Sequence, residues 1–194
     1  ELKKNWNPGK DTTMKIKTAQ DYLKSLRKLN HVVYYKGKRI KDVTRHPATA
    51  PHVRAAAVTY ALANDPEYKD WATAVSHLTG KTISRFTHVH QHVEDLIKKV
   101  KLLRVLGQKT GSCFQRCVGL DGINAVYSVA YEIDQKYKTD YFERFKKWLT
   151  MIQEENFMVV GAMTDPKGDR SKSPSEQIDP DQYLHIVEHR EDGL

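Results

Sequence analysis

Two cysteines stand four residues apart in the string Cys113-Phe-Gln-Arg-Cys117, and their type and spacing suggest chemistry most directly. Residues four apart share one face of a helix, so two thiolates there could ligate one metal ion or one iron–sulfur cluster. A cluster ordinarily takes four protein ligands, so the others would be histidines, residues beyond this chain or residues of another subunit. Free cysteines are also among the residues most often buried, and the spacing alone leaves that core interpretation open.

Histidines form a second candidate site in the string Thr87-His-Val-His-Gln-His92. His88 and His92 have the i,i+4 spacing that could bind zinc if this segment is helical. No third ligand accompanies them in the sequence. Exposed or capping histidines are therefore the favoured interpretation.

A third candidate is a turn-rich string that runs from Met163 to Arg170. Backbone N–H groups and a threonine hydroxyl in such a turn can hydrogen-bond a flavin ring or a phosphate, and its two cations could meet phosphate oxygens. The same composition is typical of an ordinary polar loop. Its residues are Met163, Thr164, Asp165, Pro166, Lys167, Gly168, Asp169 and Arg170.

The basic run Lys98-Lys-Val-Lys-Leu-Leu-Arg104 would give a helix one cationic face, and the whole chain carries a net charge of +8. Such charge can bind phosphorylated ligands or nucleic acid, but acidic residues are mixed in, which favours a solvated surface. No run reaches the roughly 18–20 apolar residues of a membrane span, and no signal peptide is recognisable. We therefore expect a soluble protein without a nucleic-acid or membrane partner. The two cysteines are too few for a secreted disulfide framework and favour a reduced, cytoplasmic location.

Hydrophobic spacing predicts helices that position these residues. After a polar arm over 1–14, residues 15–160 should form a helical bundle, with Thr18 as an N-cap and a hairpin at Lys36-Gly37. We expect Val93, Leu96, Ile97, Val100 and Leu103 to face the core of one helix, and both cysteines to lie on the next. The predicted helices are 18–30, 51–63, a short one opened by Pro66, 90–105, 112–136 and 138–155.

The composition changes after residue 157. Residues 161–180 contain three prolines and two glycines, which is typical of a long loop, and such loops in compact domains are usually functional or disordered. Residues 183–190 read as a strand, followed by the hairpin turn signal Glu191-Asp-Gly193. We therefore expect residues 161–194 to hold a loop and the first strand of a β domain that continues beyond this chain.

Taken together, three strings resemble the 4-hydroxybutyryl-CoA dehydratase family. They are Leu-Gly-Gln-Lys-Thr-Gly-Ser-Cys-Phe-Gln-Arg-Cys-Val-Gly (106–119), Tyr-Glu-Ile-Asp-Gln-Lys-Tyr (131–137) and Gly-Ala-Met-Thr-Asp-Pro-Lys-Gly-Asp-Arg (161–170). The resemblance covers residues 15–194 and only the first part of the family's longer chain. The wider family includes flavin-dependent 4-hydroxyphenylacetate hydroxylases, which share the Thr-Asp-Pro loop but lack the cysteine pair.

The resemblance implies the helical N-terminal domain of an acyl-CoA dehydrogenase-like fold, followed by a middle β domain. It implies FAD at the 163–170 loop and a [4Fe–4S] cluster with Cys113 and Cys117 as two ligands. Gln115 and Arg104 fall where the family's pocket lies, and the resemblance implies them as catalytic residues. The implied enzyme is a homotetramer that converts 4-hydroxybutyryl-CoA to crotonyl-CoA by a radical route and isomerises vinylacetyl-CoA, with the remainder of the polypeptide supplying the other ligands.

Two alternatives stay open on the sequence. One is a flavin-dependent aromatic hydroxylase of the 4-hydroxyphenylacetate type, against which the cysteine pair speaks. The other is a basic helical module that binds nucleic acid or metal through histidine and cysteine, although no recognisable nucleic-acid motif supports it.

Overall fold

The computed structural model describes residues 16–29, 31–161, 169, 171–178 and 191. The chain divides into two compact units, residues 1–160 and residues 161–194. In the second unit the structure describes one 3-10 turn, Pro174–Glu176. The predicted arm over 1–14, most of the 163–170 loop and the predicted strand over 183–190 lie outside the described residues.

The first unit is mainly helical, as the periodicity predicts, and carries two small antiparallel hairpins. Within the described range, no helix has both the length and the apolar character that crossing a membrane requires. The elements are α1 Ala19–Lys28, β1 Val33–Tyr35, β2 Lys38–Ile40, α2 Ala50–Leu62, α3 Lys69–Ala72, β3 Thr73–Val75, β4 Thr82–Ser84, a 3-10 turn Arg85–Thr87, α4 Val93–Thr110, α5 Cys117–Tyr137 and α6 Tyr141–Glu154.

Two local predictions are confirmed in detail. Thr18 Oγ1 accepts a hydrogen bond from Asp21 N at 3.1 Å while Asp21 Oδ2 accepts one from Thr18 N at 3.0 Å, so Thr18 is the N-cap of α1 in a capping box. The hairpin turn lies at Lys36 and Gly37, where φ is 48° and 73°. Positive φ at both turn positions is what a two-residue hairpin with this twist requires.

The predicted helix over 112–136 is wrong at its start. Gly111 ends α4 in the left-handed conformation, with φ of 59°, and α5 begins only at Cys117. Cys113 therefore lies in a loop, and the two cysteines do not share a helical face. Likewise α3 begins at Lys69 rather than at Pro66, because the residues after Pro66 form a turn first. The β3–β4 hairpin was not predicted from the sequence.

The predicted core face of α4 is also wrong. Leu102 and Leu106 are fully buried, whereas Val93 and Val100 are 72% and 63% exposed. The helix has apolar residues on two faces, and periodicity cannot tell which of them the core uses. The largest buried cluster consists of Leu62, Ala63, Ala72, Phe86, Leu102, Leu106, Phe114 and Leu120.

Helices α5 and α6 pack as antiparallel neighbours and leave a groove of about 640 Å³ between them on the outer side. Ile123 of α5 and Leu149 of α6 are buried beneath it. The groove is lined by Ala125, Val126, Val129, Ala130, Ile133, Tyr141, Arg144, Phe145 and Trp148. Val126 and Val129 of α5 therefore face outward in this chain, at 47% and 51% exposure.

Candidate functional site

The loop between α4 and α5 places successive side chains on opposite sides. Phe114 and Arg116 are buried, at 8% and 1% exposure, whereas Cys113 and Gln115 are exposed and Cys117 is half-buried. The Phe114 ring lies 6.0 Å from the ring of Phe86 in the main core. The loop is thus anchored by the residues between the cysteines, and it presents Cys113 and Gln115 at the surface.

The backbone of this loop is strained at Gln115. Its φ is 68°, a left-handed conformation that non-glycine residues seldom adopt. Its backbone N donates a hydrogen bond to Cys113 Sγ over 3.4 Å, and its side-chain Nε2 donates to Cys113 O at 3.4 Å. Strain of this kind persists only where the surroundings enforce it, and it concentrates at functional sites.

The Arg116 guanidinium lies in the core between two aromatic rings. Its central carbon is 4.6 Å from the ring centre of Tyr60 and 4.6 Å from that of Phe86. Nη1 donates to Thr59 Oγ1 at 3.2 Å, whereas Nε and Nη2 have no hydrogen-bond partner among the residues that the structure describes. No carboxylate pairs with it within the described part of the chain, and burial lowers the pKa of Arg116.

The nearby phenols do not balance this charge. The Tyr22 ring stacks on the Tyr60 ring at a centroid distance of 4.8 Å. Burial raises the pKa of Tyr22 to about 12 and also raises the pKa of Tyr60, so both remain neutral at physiological pH. The positive charge of Arg116 is therefore uncompensated by the surrounding side chains that the structure describes.

The N-terminus of α5 adds to the positive potential around the cysteines. Arg116 is the N-cap residue of this 21-residue helix, and no side chain caps its first turn. Unsatisfied N–H groups give a helix N-terminus a partial positive charge. Cys117, the first residue of α5, therefore lies at an electropositive position, which favours a negatively charged group at its thiol.

The segment that leads out of α6 passes directly over the first turn of α5. A Cβ placed on Gly119 would lie 1.9 Å from Val159 O, so only glycine fits this approach. Tyr60 Oη donates to Asn156 O over 3.4 Å at the start of the same segment. The cysteine-bearing end of α5 and the segment that leads to residue 161 are therefore in contact.

Of the other predicted site residues, Arg104 lies on the exposed side of α4, two turns before Gly111. Asp169 is exposed in the second unit, where its Oδ1 accepts hydrogen bonds from Ser171 N and Oγ, which lower the pKa of Asp169. Met163–Gly168 and Arg170 lie outside the described residues.

The zinc interpretation of the histidines is wrong, because His88 and His92 are not on one helix. His92 is the N-cap residue of α4, whereas His88 is buried with Nε2 3.0 Å from Asp95 Oδ2. Desolvation by burial lowers the pKa of His88. Across the described residues, no group of three or more histidine, cysteine, aspartate or glutamate side chains could hold a metal ion.

Sequence reasoning missed Arg85, whose buried guanidinium group links α3, β3 and α4 by hydrogen bonds. Arg85 is 2% exposed; its Nε donates to Trp71 O at 2.6 Å, its Nη1 to Asp95 Oδ1 at 3.0 Å and its Nη2 to Thr73 O at 2.7 Å. The 3-10 turn that carries it has no periodic signal. The burial of Arg116, in contrast, has a local signal, because Arg116 is two residues from Phe114 in an alternating segment.

Comparison with known proteins places the chain in a family. Residues 18–194 match the family model described as 4-hydroxyphenylacetate 3-hydroxylase N terminal. The chain is 56% identical over 179 residues to the 4-hydroxybutyryl-CoA dehydratase/vinylacetyl-CoA-Delta-isomerase of Clostridium aminobutyricum, which covers 92% of this chain and 36% of that protein.

Solved structures agree with this match. An oxygen-tolerant archaeal 4-hydroxybutyryl-CoA dehydratase from N. maritimus superposes with a TM-score of 0.82 at 46% identity, over 91% of this chain and 35% of that one. The oxygenase component of 4-hydroxyphenylacetate 3-monooxygenase, complexed with FAD and 4-hydroxyphenylacetate, shares the fold with a TM-score of 0.69 at 23% identity, over 91% and 36%. The chain spans about a third of the length of these relatives. It belongs to the 4-hydroxyphenylacetate 3-hydroxylase N-terminal family.

Proposed function

We propose that this chain is the N-terminal part of an enzyme that dehydrates 4-hydroxybutyryl-CoA to crotonyl-CoA and isomerises vinylacetyl-CoA. The observation that carries the proposal is the 56% identity to a dehydratase/isomerase of this name across 92% of the chain. The geometry supports it, because Cys113 and Gln115 face outward from a strained and anchored loop.

The cysteine loop fits two of the four ligands of an iron–sulfur cluster. Thiolates and the anionic cluster that they hold are stabilised by nearby positive charge, and here Arg116 and the N-terminus of α5 supply it. Because no further ligand group occurs among the described residues, the remaining ligands would come from elsewhere in the polypeptide. A bound cluster supplies Lewis acidity toward the substrate hydroxyl.

The other residues of the chain would bind and orient. We assign FAD to the loop Met163–Arg170, which follows the segment held against Gly119. FAD is bound by the hydroxylase whose fold this chain shares. Gln115 and Arg104 are the residues that we expect to contact the acyl-CoA substrate. The rest of the polypeptide, in an acyl-CoA dehydrogenase-like arrangement and a cytoplasmic homotetramer, would complete the site.

The test is cofactor analysis of the full-length polypeptide, purified without oxygen, together with an assay for crotonyl-CoA. About four irons and one FAD per subunit are expected, with activity that Cys113→Ala abolishes. A matched control is Ser112→Ala, which changes the neighbouring exposed residue and should keep both iron and activity. A protein that binds FAD, lacks iron and produces no crotonyl-CoA would contradict the proposal.

Flavin-dependent hydroxylation is the second candidate, favoured by the structural similarity to the hydroxylase complexed with FAD and 4-hydroxyphenylacetate. Oxygen-dependent hydroxylation of a phenol by the full-length protein with reduced FAD would establish it. Membership of this family also favours a flavin enzyme over a basic helical module that binds nucleic acid.

A further inference from the structure

The two buried arginines of the helical unit, Arg85 and Arg116, differ in how many hydrogen-bond partners their guanidinium groups have. Arg85 has hydrogen-bond partners at all three of its nitrogen atoms, including the carboxylate of Asp95. Arg116 is equally buried, and among the described residues its one hydrogen-bond partner is the Thr59 hydroxyl. A buried cation without a counter-charge destabilises a fold, so Arg116 is a poor choice for a position that needs only packing.

Arg116 is held rigidly beside the cysteines. Its guanidinium lies between Tyr60 and Phe86, and Phe86 also contacts Phe114, the other anchor of the loop. Arg116 directly precedes Cys117, so covalent reach keeps its guanidinium carbon within about 13 Å of the Cys117 sulfur. Because Arg116 is buried and Cys117 is half-buried, salt screens the interaction between them less than it would at the surface.

We propose that Arg116 is a positioning residue for the cysteine pair: its clamped side chain fixes the loop that exposes Cys113 and leaves Cys117 half-buried at the start of α5. Its charge, which no side chain among the described residues compensates, balances the anionic cluster held by the two thiols. This inference rests on the proposed function. Arg116 contacts neither substrate nor cofactor in this role. It acts through the loop geometry and through the local potential.

The positive charge has a measurable electrostatic consequence. A cation near a redox-active anionic centre stabilises the more reduced and more negative state, so its removal should lower the reduction potential of the cluster. A residue that serves only packing would leave that potential unchanged. The two roles are therefore separable by spectroscopy, independently of catalytic activity.

The test compares Arg116→Met, Arg116→Lys and Arg85→Lys in the full-length polypeptide, purified without oxygen. Iron, sulfide and flavin per subunit, the thermal unfolding midpoint and the reduction potential of the cluster are measured for each. We expect Arg116→Met to keep flavin and the unfolding midpoint, to lose cluster several-fold and to lower the potential of what remains. Arg116→Lys, which keeps the charge, should retain more cluster. Arg85→Lys should lower the unfolding midpoint and leave iron per folded subunit unchanged.

Two results would overturn the inference. Parent iron content and potential in Arg116→Met would mean that Arg116 only fills the core, and a joint loss of iron, flavin and unfolding midpoint would assign it to fold stability. Arg116→Gln, which can still bond Thr59, replaces the methionine variant if that one does not fold. A parent protein with flavin and no iron would instead refute the proposed function itself.

Discussion

The surroundings of Arg85 and of Arg116 show two ways in which one helical unit buries a guanidinium group. Arg85 joins three backbone carbonyls and a carboxylate, and it thereby ties the end of α3 and the start of β3 to α4. Arg116 is packed between two aromatic rings in the loop that carries the cysteines, and its Nε and Nη2 have no partner in the described part of the chain. The two guanidinium groups are equally buried, but among the described residues only that of Arg85 has a partner at every nitrogen atom.

This difference indicates that the surroundings of Arg85 serve the stability of the fold, whereas those of Arg116 retain groups that stability alone does not require. Fully satisfied buried polar networks hold a fold together, whereas unsatisfied groups and strained backbone are retained at functional sites. The Arg116 region combines an unpaired cation, a positive φ at Gln115 and a backbone approach that excludes every side chain at Gly119. Four measurements on the full-length protein test this contrast.

The largest effect is expected from Arg85→Met. The substitution removes the Arg85 hydrogen bonds to the Asp95 carboxylate and to the carbonyls of Trp71 and Thr73. Breaking a buried pair in this way costs about 3–5 kcal/mol. Urea unfolding followed by tryptophan fluorescence measures it, and a loss below about 1 kcal/mol would remove the contrast between the two regions.

Gly119→Ala should have the next largest effect. Its Cβ would lie 1.9 Å from Val159 O, so the segment after α6 must move away from α5. Overpacking against backbone costs about 3 kcal/mol. The matched control is Gly122→Ala on the same helix, where no atom lies within 4 Å of the new Cβ. There alanine should be neutral or stabilise by up to about 1 kcal/mol, and equal effects at the two positions would refute the close approach.

We expect an intermediate effect on stability when the pH is lowered, because His88 then becomes protonated. Burial lowers the pKa of His88, which is surrounded by Asp95, Arg85 and His92. Burial alone would raise the pKa of Asp95, but hydrogen bonds from Gln91 N, His88 and Arg85 hold it well below its usual range, so Asp95 stays ionised above about pH 5.

Because the folded pKa of His88 lies below the unfolded value of about 6.5, folding favours the neutral ring. The neutral His88 ring contributes fully to stability above the unfolded pKa, and this contribution is lost as pH falls through the folded pKa. Urea midpoints should therefore fall between about pH 7.5 and pH 5. His88→Gln should flatten this dependence, and an unchanged slope in that variant would assign it to other groups, of which His77 and His90 also have lowered pKa values from burial.

The smallest effect on stability is expected from Arg116→Met. Two cation–π contacts and one hydrogen bond are lost, but a buried charge without a counter-ion is removed. These changes oppose each other, so the free energy of unfolding should change by about 1 kcal/mol or less. A loss as large as that of Arg85→Met would show that Arg116 is supported by groups beyond its observed contacts.

The sequence predicts those features that depend on neighbouring residues. The Thr18 cap, the Lys36-Gly37 turn and the mainly helical content follow from local chemistry and are confirmed. The choice of face on α4 could not be predicted, because Leu102 and Val100 both belong to plausible apolar stripes and tertiary packing selects between them.

The string Cys113-Phe-Gln-Arg-Cys117 supplies the residues of the candidate site but not their geometry. Its spacing of four predicts a shared helical face, which the structure does not have. Gly111 in the left-handed conformation ends α4, and α5 starts only at Cys117, which places Cys113 in a loop. The guanidinium position of Arg116 depends on Tyr60, which is 56 residues away, and no local pattern encodes such a contact.

The apolar groove between α5 and α6 affects how this polypeptide behaves in solution. Its wall contains Val126, Val129 and Trp148, which are 47%, 51% and 38% exposed. Val93 and Val100 of α4 add further apolar surface. A polypeptide limited to these 194 residues would expose this apolar surface to water. It should increase the fluorescence of an environment-sensitive dye such as anilinonaphthalene sulfonate and self-associate as its concentration rises.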